Sequence, residues 1–238
     1  MDKKSRELMI FVKAPRPGFV KKRLGAQVGQ RISAHLYRAF ALDLLSNLKA
    51  YSDVLTIWYY PMGSGEEIRQ WIGNDLPLIA QHGHNLGERM ETAFHVSFER
   101  GVEAALLIGS DIPDLPQDHI CQAFKNLDRV DAVIGPSKDG GYYLIGFTAK
   151  AFAREVFQGL SWGTHRVYEK TLERFKALSL TYSVLSEWWD VDDLSDLNSL
   201  LRRNTGKAST ISHTIREVKA ISRVEPEFRS LVDLSCVE

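Results

Sequence analysis

The chain has 238 residues, of which 44% are hydrophobic and 25% are charged, and this composition is typical of a globular protein with a sizeable core. Its 30 Lys and Arg residues balance its 30 Asp and Glu residues, so the zero net charge favours neither nucleic-acid binding nor attraction to an anionic membrane. No apolar run approaches the ~20 residues that a membrane span needs, and the charged segment Met1–Glu7 lacks the apolar core of a signal peptide, which predicts a cytoplasmic protein.

Short apolar runs alternate with helix-like patterns along most of the chain. The runs predict strands over Leu8–Val12, Val54–Tyr60, Leu76–Ala80, Ala104–Ile108, Ala132–Ile134, Tyr142–Phe147 and Thr181–Leu185. Between the runs, helical patterns predict helices over Ile32–Leu48, Glu66–Trp71, Leu86–Arg100, Gln117–Leu127, Thr164–Ala177 and Ser195–Arg202. Repeated strand–helix–strand units predict an α/β fold with a mostly parallel sheet and helices on both faces.

Two parts of the chain depart from this alternation. Tyr142–Phe147 follows the preceding strand after only a glycine-rich loop, so this strand need not run parallel to the others. The pattern weakens from Asn204 onward, where one short helix over Ile215–Ile221 is predicted. We therefore expect a single domain over residues 1–203 and a C-terminal extension over residues 204–238 that is not a separate domain.

The first candidate site is a basic segment that follows the first predicted strand. Seven basic residues and no acidic residue lie between Leu8 and Leu42. Ligands of open α/β sheets bind outside the carboxyl ends of the strands, and a loop that opens a helix offers free N–H groups to an anion. The segment therefore predicts a phosphate site, with a solvated basic face as the alternative. The candidate residues are Lys13, Arg16, Gly18, Lys21 and Arg23.

An acidic segment follows the most apolar strand. Four acidic residues and no Lys or Arg lie between Gly101 and Phe124. A carboxylate at the carboxyl end of a strand is placed to hold Mg²⁺ or Mn²⁺, and we predict this role for Asp111. The alternative is that Asp111 opens an Asx-turn. For Asp114 a cap of the next helix is the favoured interpretation, with Asp118 as the other candidate cap.

Two later segments supply further candidate carboxylates. Asp139 precedes two glycines that let the backbone pass close to a ligand, although a hairpin turn is the alternative. Asp190 and Asp192 lie in a stretch of five acidic residues without Lys or Arg. They are predicted to point to opposite sides of an extended segment, so only one of them is expected to face a shared metal. Asp193 is predicted to cap the following helix.

Other distinctive residues favour structural interpretations. His82 and His84 form a pair without a third ligand at metal spacing, which indicates a loop more than a zinc site. The distant cysteines Cys121 and Cys236 fit neither a disulfide framework nor a zinc site and predict reduced thiols.

Six motifs in order resemble one bacterial family. The motifs are Phe11–Gly18, Leu86–Met90, Gly109–Pro113, Gly135–Tyr143, Trp162–Thr164 and Asp190–Asp192. Over about residues 7–203 the chain is similar to the glycosyltransferase-like family called radical-SAM/selenodomain-associated transferase 1. That family is similar to the molybdenum-cofactor and 2-phospholactate guanylyltransferases and belongs to the GT-A nucleotide-diphospho-sugar transferase superfamily.

The resemblance implies a Rossmann-like GT-A fold, a three-layer αβα sandwich that binds a nucleotide with a divalent metal. By motif position, the loop from Lys13 to Arg23 would meet the phosphates, and Asp111 would hold the metal with help from Asp190 or Asp192. The residues implied beside the nucleotide are Gly87, Glu88 and Arg89. The chain departs from the family pattern at Lys22, where the family has Thr, and at the pair His84 and Asn85, where it has Gly and Asp.

Residue pattern and resemblance together predict a Mg²⁺- or Mn²⁺-dependent transferase. Its donor is a nucleotide-diphospho-sugar or a nucleoside triphosphate, its acceptor is an unknown small molecule, and the protein is a monomer or a homodimer. Lys21, Asp111 and Asp139 are the predicted catalytic residues, with Asp139 as acceptor ligand or base. The alternatives are a nucleotidyltransferase of the guanylyltransferase type and a non-catalytic nucleotide-binding regulatory module.

Overall fold

The structure is a computed structural model that describes residues 5–206 and 210–236. The strands are β1 (Arg6–Lys13), β2 (Leu55–Tyr60), β3 (Leu78–Ala80), β4 (Ala104–Gly109), β5 (Ala132–Pro136), β6 (Tyr142–Thr148) and β7 (Tyr182–Val184). The α-helices are α1 (Lys22–Val28), α2 (Gln30–Asn47), α3 (Gly65–Ile72), α4 (Leu86–Glu99), α5 (Gln117–Asn126), α6 (Val167–Ala177), α7 (Leu194–Arg203), α8 (Ser212–Val224) and α9 (Pro226–Leu231). Short 3-10 helices cover Lys49–Val54, Arg154–Phe157 and Leu234–Cys236.

Within the described residues, the strands form one seven-stranded sheet in the order β3-β2-β1-β4-β6-β5-β7. Neighbouring strands run parallel except at β6, which is antiparallel to both β4 and β5. The predicted α/β class with a mostly parallel sheet is therefore confirmed. β1 and β4 are paired with Phe11 opposite Gly109, so the loops that follow these two strands leave the sheet side by side.

The two faces of the sheet carry separate apolar cores because side chains alternate along each strand. On β1, Leu8, Ile10 and Val12 pack with α2, α3 and α5 on one face. Met9 packs on the opposite face, where Phe94 of α4 and several phenylalanines complete the core. The sheet therefore lies between two helical layers, as in a three-layer sandwich.

A third apolar cluster joins the C-terminal helices to the first two helices. Its buried members include Leu24 of α1, Phe40 of α2 and Leu197 of α7, together with Val218 of α8 and Phe228 of α9. Asp43 of α2 fixes the start of α8, because its carboxylate accepts the backbone N–H groups of residues 213 and 214 at 2.8 Å each. The predicted division into a domain over residues 1–203 and an extension stays a prediction.

Several predicted elements differ from the structure at their ends. The pattern over Ile32–Leu48 is α2, but the chain forms an additional helix, α1, just before it. Gly29 separates the two helices with a φ of +97°, which a residue with a side chain rarely adopts. The predicted start at Thr164 moves to Val167, where α6 begins. The predicted tail helix is α8, which begins at Ser212 and is followed by α9.

Cys121 is a free, half-buried thiol, as predicted, whereas the Cys236 thiol lies outside what the structure describes. A search of the described residues for a helix long and apolar enough to cross a membrane finds none.

Candidate functional site

Three distant segments meet at the carboxyl edge of the sheet. One is the loop after β1, the second is the loop after β4, and the third is the stretch from Trp188 to Asp192. This last stretch begins beside β5, where the N–H of Trp188 donates to the carbonyl of Pro136 at 3.1 Å. It then reaches the other two loops, because the N–H of Val191 donates to the Asp111 carbonyl, and the N–H of Leu24 donates to the Asp192 carbonyl, at 3.0 Å each.

Three carboxylates come together at this junction. One oxygen from each of Asp111, Asp190 and Asp192 lies within 4.8 Å of the others. The expectation that only one of Asp190 and Asp192 faces this position is wrong. Residues two apart in an extended segment point to the same side, and Val191 between them is fully buried in the core.

Lys21 connects two of these carboxylates. Its Nζ donates to Asp111 Oδ2 and to Asp192 Oδ1, each at 2.8 Å, and its side chain is only 5% exposed. The backbone of Lys21 has a left-handed φ of 45°, which is uncommon for a residue with a side chain. Burial opposes the charged ammonium, but Asp111 and Asp192 outweigh it and raise the pKa of Lys21. The amine of Lys21 therefore stays protonated and positively charged while it lies in the carboxylate cluster.

The carboxylates of the cluster differ in protonation. Burial raises the pKa of Asp190 to about 7, and the negative charges of Asp111 and Asp192 act in the same direction. Asp111 behaves in the opposite way, because Lys21 overcomes the effect of burial and lowers the pKa of Asp111. Near neutral pH Asp111 is therefore ionised, while Asp190 titrates beside it.

Further cations surround this cluster. The end of the Lys13 side chain lies near Asp111, Lys21 and Arg89, and its surroundings remove enough water to lower the pKa of Lys13 despite the opposing charge of Asp111. Arg23 lies 3.7 Å from Asp192 with a side chain that is 70% exposed. The site therefore combines basic and acidic groups, as a phosphate and a metal would together require.

Tyr37 and Ser110 are hydrogen-bonded to each other beside the backbone of Lys13. The sequence analysis did not name either of them as a site residue. The hydroxyl of Tyr37 accepts the backbone N–H of Lys13 at 2.8 Å and shares a hydrogen bond with Ser110 Oγ at 2.7 Å. Burial raises the pKa of Tyr37 to about 12, so its hydroxyl stays protonated. Tyr37 falls on the apolar stripe of α2, so helical periodicity identifies it as core and gives no signal of this second role.

The remaining candidates of the basic loop lie in different surroundings. Arg16 is held by Glu67 of α3, with a shortest distance of 2.7 Å from the guanidinium to the carboxylate. Gly18 has a φ of +76°, which favours glycine at this turn. Arg16 is thus engaged outside the carboxylate cluster.

The residues at the start of α4 form a compact unit beside β2. The Asn85 side chain caps α4 by accepting a hydrogen bond from the N–H of Glu88 at 3.0 Å. The Glu88 carboxylate in turn accepts a hydrogen bond from the N–H of His84 at 2.7 Å. Gly87 lies so close to Trp162 that a Cβ atom there would approach the indole to 2.6 Å. The guanidinium of Arg89 lies 4.3 Å from the centre of the Tyr60 ring.

Asp139 stands at the turn between β5 and β6. Its Oδ1 accepts hydrogen bonds from Ser137 Oγ at 2.5 Å and from the N–H of Gly141 at 2.9 Å. Its negative charge contributes to the raised pKa of Asp190, which places it in the electrostatic neighbourhood of the cluster. Among the described residues, its Oδ2 accepts no hydrogen bond.

Asp114 is not the helix cap that the sequence favoured, and neither is Asp118. Helix α5 is preceded by Pro116 and has no side-chain cap. The buried Asp114 carboxylate instead accepts hydrogen bonds from Arg203 at 2.6 and 2.9 Å and from Asn204 at 2.8 Å. The predicted cap at Asp193 is confirmed, since its carboxylate accepts the N–H of residue 196.

Comparisons with known proteins identify a family model and a solved structure that match this chain. Residues 44–164 match a family model described as an uncharacterized protein conserved in bacteria (DUF2064). A solved structure from Desulfovibrio desulfuricans G20, described as a "putative nucleotide-diphospho-sugar transferase", is 38% identical, with a TM-score of 0.86 over 97% of this chain and 100% of that one.

A more distant protein matches the chain in sequence, and another matches it in fold alone. The 2-phospho-L-lactate guanylyltransferase of Methanocaldococcus infernus is 25% identical over 176 residues, which are 72% of this chain and 74% of that protein. A cytidylyltransferase of Leptospira borgpetersenii is 10% identical, with a TM-score of 0.57 over 95% of this chain and 97% of that one. The predicted Rossmann-like fold of the nucleotide-diphospho-sugar transferases is confirmed by these structures.

Proposed function

The chain belongs to the DUF2064 family, and on that premise we propose that it is a divalent-metal-dependent transferase with a nucleotide-diphospho-sugar or nucleoside triphosphate donor. Its 38% identical structural relative and its guanylyltransferase relative both support a transferase. The six ordered motifs support the narrower assignment to the radical-SAM/selenodomain-associated transferase 1 group. The acceptor in this proposal is a small molecule.

The observation that carries the proposal is the meeting of basic and acidic groups at the carboxyl edge of the sheet. Lys13 and Lys21 come from the first loop, Asp111 from the loop after β4, and Asp190 and Asp192 from the last segment. Lysines stabilise phosphate oxygens, and carboxylates bind the divalent ion that bridges such oxygens. This edge is also where open α/β sheets bind ligands.

The residues of the cluster fit a divalent metal. Mg²⁺ and Mn²⁺ bind carboxylate oxygens at about 2.1 Å, so oxygens on opposite sides of an ion lie roughly 4.2 Å apart. Oxygens at adjacent positions of an octahedral ion lie closer, at roughly 3.0 Å, so the oxygens of Asp111, Asp190 and Asp192, which lie within 4.8 Å of one another, have to converge by up to about 2 Å to share one ion. The Lys21 ammonium already binds two of these carboxylates, so the cluster accommodates a positive charge. When bound, the ion would neutralise charge on the donor phosphates.

In this proposal the basic residues neutralise the negative charge of the donor phosphates that depart as the leaving group. An acceptor oxygen attacks the anomeric carbon and releases a nucleoside diphosphate, or it attacks the α-phosphorus and releases pyrophosphate. Lys13, Lys21 and Arg23 stabilise the charge that develops on the departing oxygens. The backbone of Gly18 offers close approach to the nucleotide, and Glu88 and Arg89 in the first turn of α4 are the proposed neighbours of the nucleotide, together with the backbone of Gly87, whose open side faces Trp162. Asp139 is the proposed acceptor ligand or base, because its Oδ2 is open and it lies near the cluster.

The second candidate is nucleotidyl transfer of the guanylyltransferase type. The guanylyltransferase relative, which aligns over nearly three quarters of both chains, supports it specifically. Both reactions need the same hold on the donor phosphates, and they differ in which bond to phosphorus or carbon is broken.

One assay separates these functions. The protein is incubated with Mn²⁺, single nucleoside triphosphates or UDP-, GDP- or CDP-sugars, and a mixture of small acceptors that carry hydroxyl, phosphate or carboxylate groups. Released pyrophosphate indicates nucleotidyl transfer, and released nucleoside diphosphate indicates sugar transfer. Calorimetry with and without EDTA measures donor binding in parallel.

We expect donor consumption and donor binding to require the divalent ion. Equal donor affinity with and without EDTA would contradict the metal dependence. Metal-dependent binding without release of either product would instead support the non-catalytic regulatory module.

A further inference from the structure

We propose that Lys21 is a displaceable occupant of the metal site, so that the divalent ion binds only when the lysine ammonium leaves the carboxylate cluster. The proposal rests on the proposed function, because it takes the cluster of Asp111, Asp190 and Asp192 to be the metal site. It adds an order of events: the protein holds its own cation in place until the ion and an anionic ligand replace it.

We take the ion to bind the carboxylate oxygens that Lys21 now holds, so the ammonium and the ion compete for one position. Lys21 Nζ lies 2.8 Å from one oxygen of Asp111 and 2.8 Å from one oxygen of Asp192. A divalent ion bound to these carboxylates would lie about 2.1 Å from its ligand oxygens, which places it in the space that Nζ fills. Two cations at that separation also repel each other strongly in a buried site. Metal binding therefore requires Lys21 to move.

Leaving the cluster is costly for Lys21 in the absence of an anion. Its side chain is almost fully buried, and the positive charge of Lys13 nearby disfavours an ammonium that has lost its carboxylate partners. A phosphate group in the same cleft supplies the missing negative charge. The ion alone should therefore bind weakly, and an anionic ligand should strengthen its binding by giving Lys21 a new partner.

The position of Lys21 allows such a movement. It is the last residue before α1, with its backbone in the left-handed region, and its loop contains Gly18 with a φ of +76°. The left-handed region is unfavourable for a residue with a side chain, and here the two ion pairs help to hold Lys21 in it. Release of these ion pairs removes part of what keeps Lys21 in this conformation.

The test is a titration of the protein with Mn²⁺ alone. Calorimetry measures the binding, and the electron paramagnetic resonance signal of free Mn²⁺ decreases as the ion binds. Lys21→Met removes the ammonium and keeps an unbranched side chain of similar length. We expect the variant to bind Mn²⁺ at least tenfold more tightly than the wild-type protein. Lys13→Met is the matched control, because it removes one positive charge beside the cluster without vacating it, and its gain should be several-fold smaller.

The double variant Lys21→Met with Asp111→Asn locates the ion. It should lose the tight Mn²⁺ binding if the ion takes the place of the ammonium. If Lys21→Met does not fold, Lys21→Gln provides the same comparison, with the Mn²⁺-induced rise in melting temperature as the readout.

Two results would overturn the proposal in distinguishable ways. Equal Mn²⁺ affinity of the wild-type protein and the Lys21 variants would show that the lysine does not occupy the metal site, while the proposed function would stand. No Mn²⁺ binding by any variant would overturn both the displacement and the metal dependence of the proposed function. A gain in Lys13→Met equal to that in Lys21→Met would show a general charge effect and contradict displacement.

Discussion

Asp111 and Asp114 lie three residues apart on the loop after β4, yet their surroundings assign them different roles. Asp111 faces Lys21 and the other carboxylates at the open edge of the sheet. Asp114 is buried, with its side chain only 4% exposed, and pairs with Arg203. The two residues are of the same type and close in sequence, so the difference between their roles comes from what each carboxylate contacts.

The substitution Asp111→Asn should abolish metal-dependent donor binding with little loss of stability. The amide lacks the negative charge that a hard cation requires, while Lys21 keeps Asp192 as a partner. We expect the free energy of unfolding to fall by about 1 kcal/mol, less than when a buried charge is left unpaired, because Lys21 keeps Asp192 and repulsion among the three carboxylates is relieved. Calorimetry with the donor found in the assay above, and urea unfolding, measure the two effects.

Asp114→Asn is the matched control and should show the reverse pattern. It breaks a buried ion pair with Arg203, so it should cost about 3 kcal/mol of stability and leave metal-dependent binding in place. Full donor binding by Asp111→Asn in the presence of the metal would rule out the metal role of Asp111.

The cations of the first loop should differ in their contribution to donor binding. Lys13→Ala should weaken binding by about 1–3 kcal/mol, since a charge-assisted hydrogen bond to phosphate is lost. Arg16→Ala should have a smaller effect, because Glu67 holds its guanidinium in the ligand-free protein. Calorimetry on both variants compares them. A larger loss in Arg16→Ala would mean that Arg16 leaves Glu67 to contact the donor.

Asp190 should make the stability of the metal-free protein depend on pH. Its folded-state pKa of about 7 lies above the ordinary value of 3.8, so the folded protein holds its proton more tightly than the unfolded chain. The stabilisation from neutral Asp190 is therefore fully present below about pH 4 and is lost as the pH rises to about 7.

Asp190→Asn mimics the neutral carboxyl at every pH. In EDTA, its stability relative to the wild-type protein should increase from pH 4 to pH 7 and then stay constant. Urea unfolding across this range measures the difference. Two parallel stability curves would contradict the raised pKa.

At the scale of elements, the docking of α8 on α2 depends on one carboxylate. Ile211, the residue before α8, supplies no side-chain cap to this helix. The N–H groups of His213 and Thr214 in the first turn instead donate to the carboxylate of Asp43 in α2. The cap therefore comes from a helix about 170 positions earlier in the chain, and it fixes the position of α8 as well as its start.

Asp43→Ala should destabilise the protein by about 1–2 kcal/mol, because two N–H groups of a helix terminus lose their acceptor. Donor binding should be unchanged, because among the described residues none of α8 contributes a carboxylate to the cluster. The exposed Asp53 supplies the control, and Asp53→Ala should change the stability by less than about 0.5 kcal/mol. Equal stability of the two variants would show that the contact does not hold α8.

At the scale of the whole molecule, the third apolar cluster links the C-terminal helices to the helices beside the site. Phe228 of α9 is 2% exposed and packs in the same cluster as Leu24 of α1 and Phe40 of α2. All five tryptophans lie before residue 190, so none belongs to α8 or α9 and their fluorescence is a probe of the part of the chain before α7. The coupling between the two parts is therefore measurable.

Phe228→Ala should shift the unfolding transition that tryptophan fluorescence reports. The cavity should cost about 3 kcal/mol or more, and one cooperative transition should carry the whole loss. Val224→Ala, at a residue that is 73% exposed, should leave the transition within about 0.5 kcal/mol of the wild-type protein. An unchanged fluorescence transition in Phe228→Ala would show that the extension unfolds independently.

The sequence by itself determined the order of the seven strands, the α/β class and the segments that carry the candidate site residues. Hydrophobic periodicity is local, so Ala104–Ile108 and Leu86–Arg100 are recognisable without their neighbours. The segments around Lys13 and Asp111 follow strands, and the fold class places the carboxyl ends of parallel strands at one edge.

Only the tertiary structure decided which of these side chains meet. Lys21 contacts Asp111 and Asp192 across separations of 90 and 171 residues, and Asp114 contacts Arg203 across 89. Such pairs depend on strand order and on the path of the segment from Trp188 to Asp192, which no local pattern specifies. The physical reason is that an ion pair requires positions accurate to a few tenths of an ångström, whereas periodicity defines only the face of an element on which a residue lies.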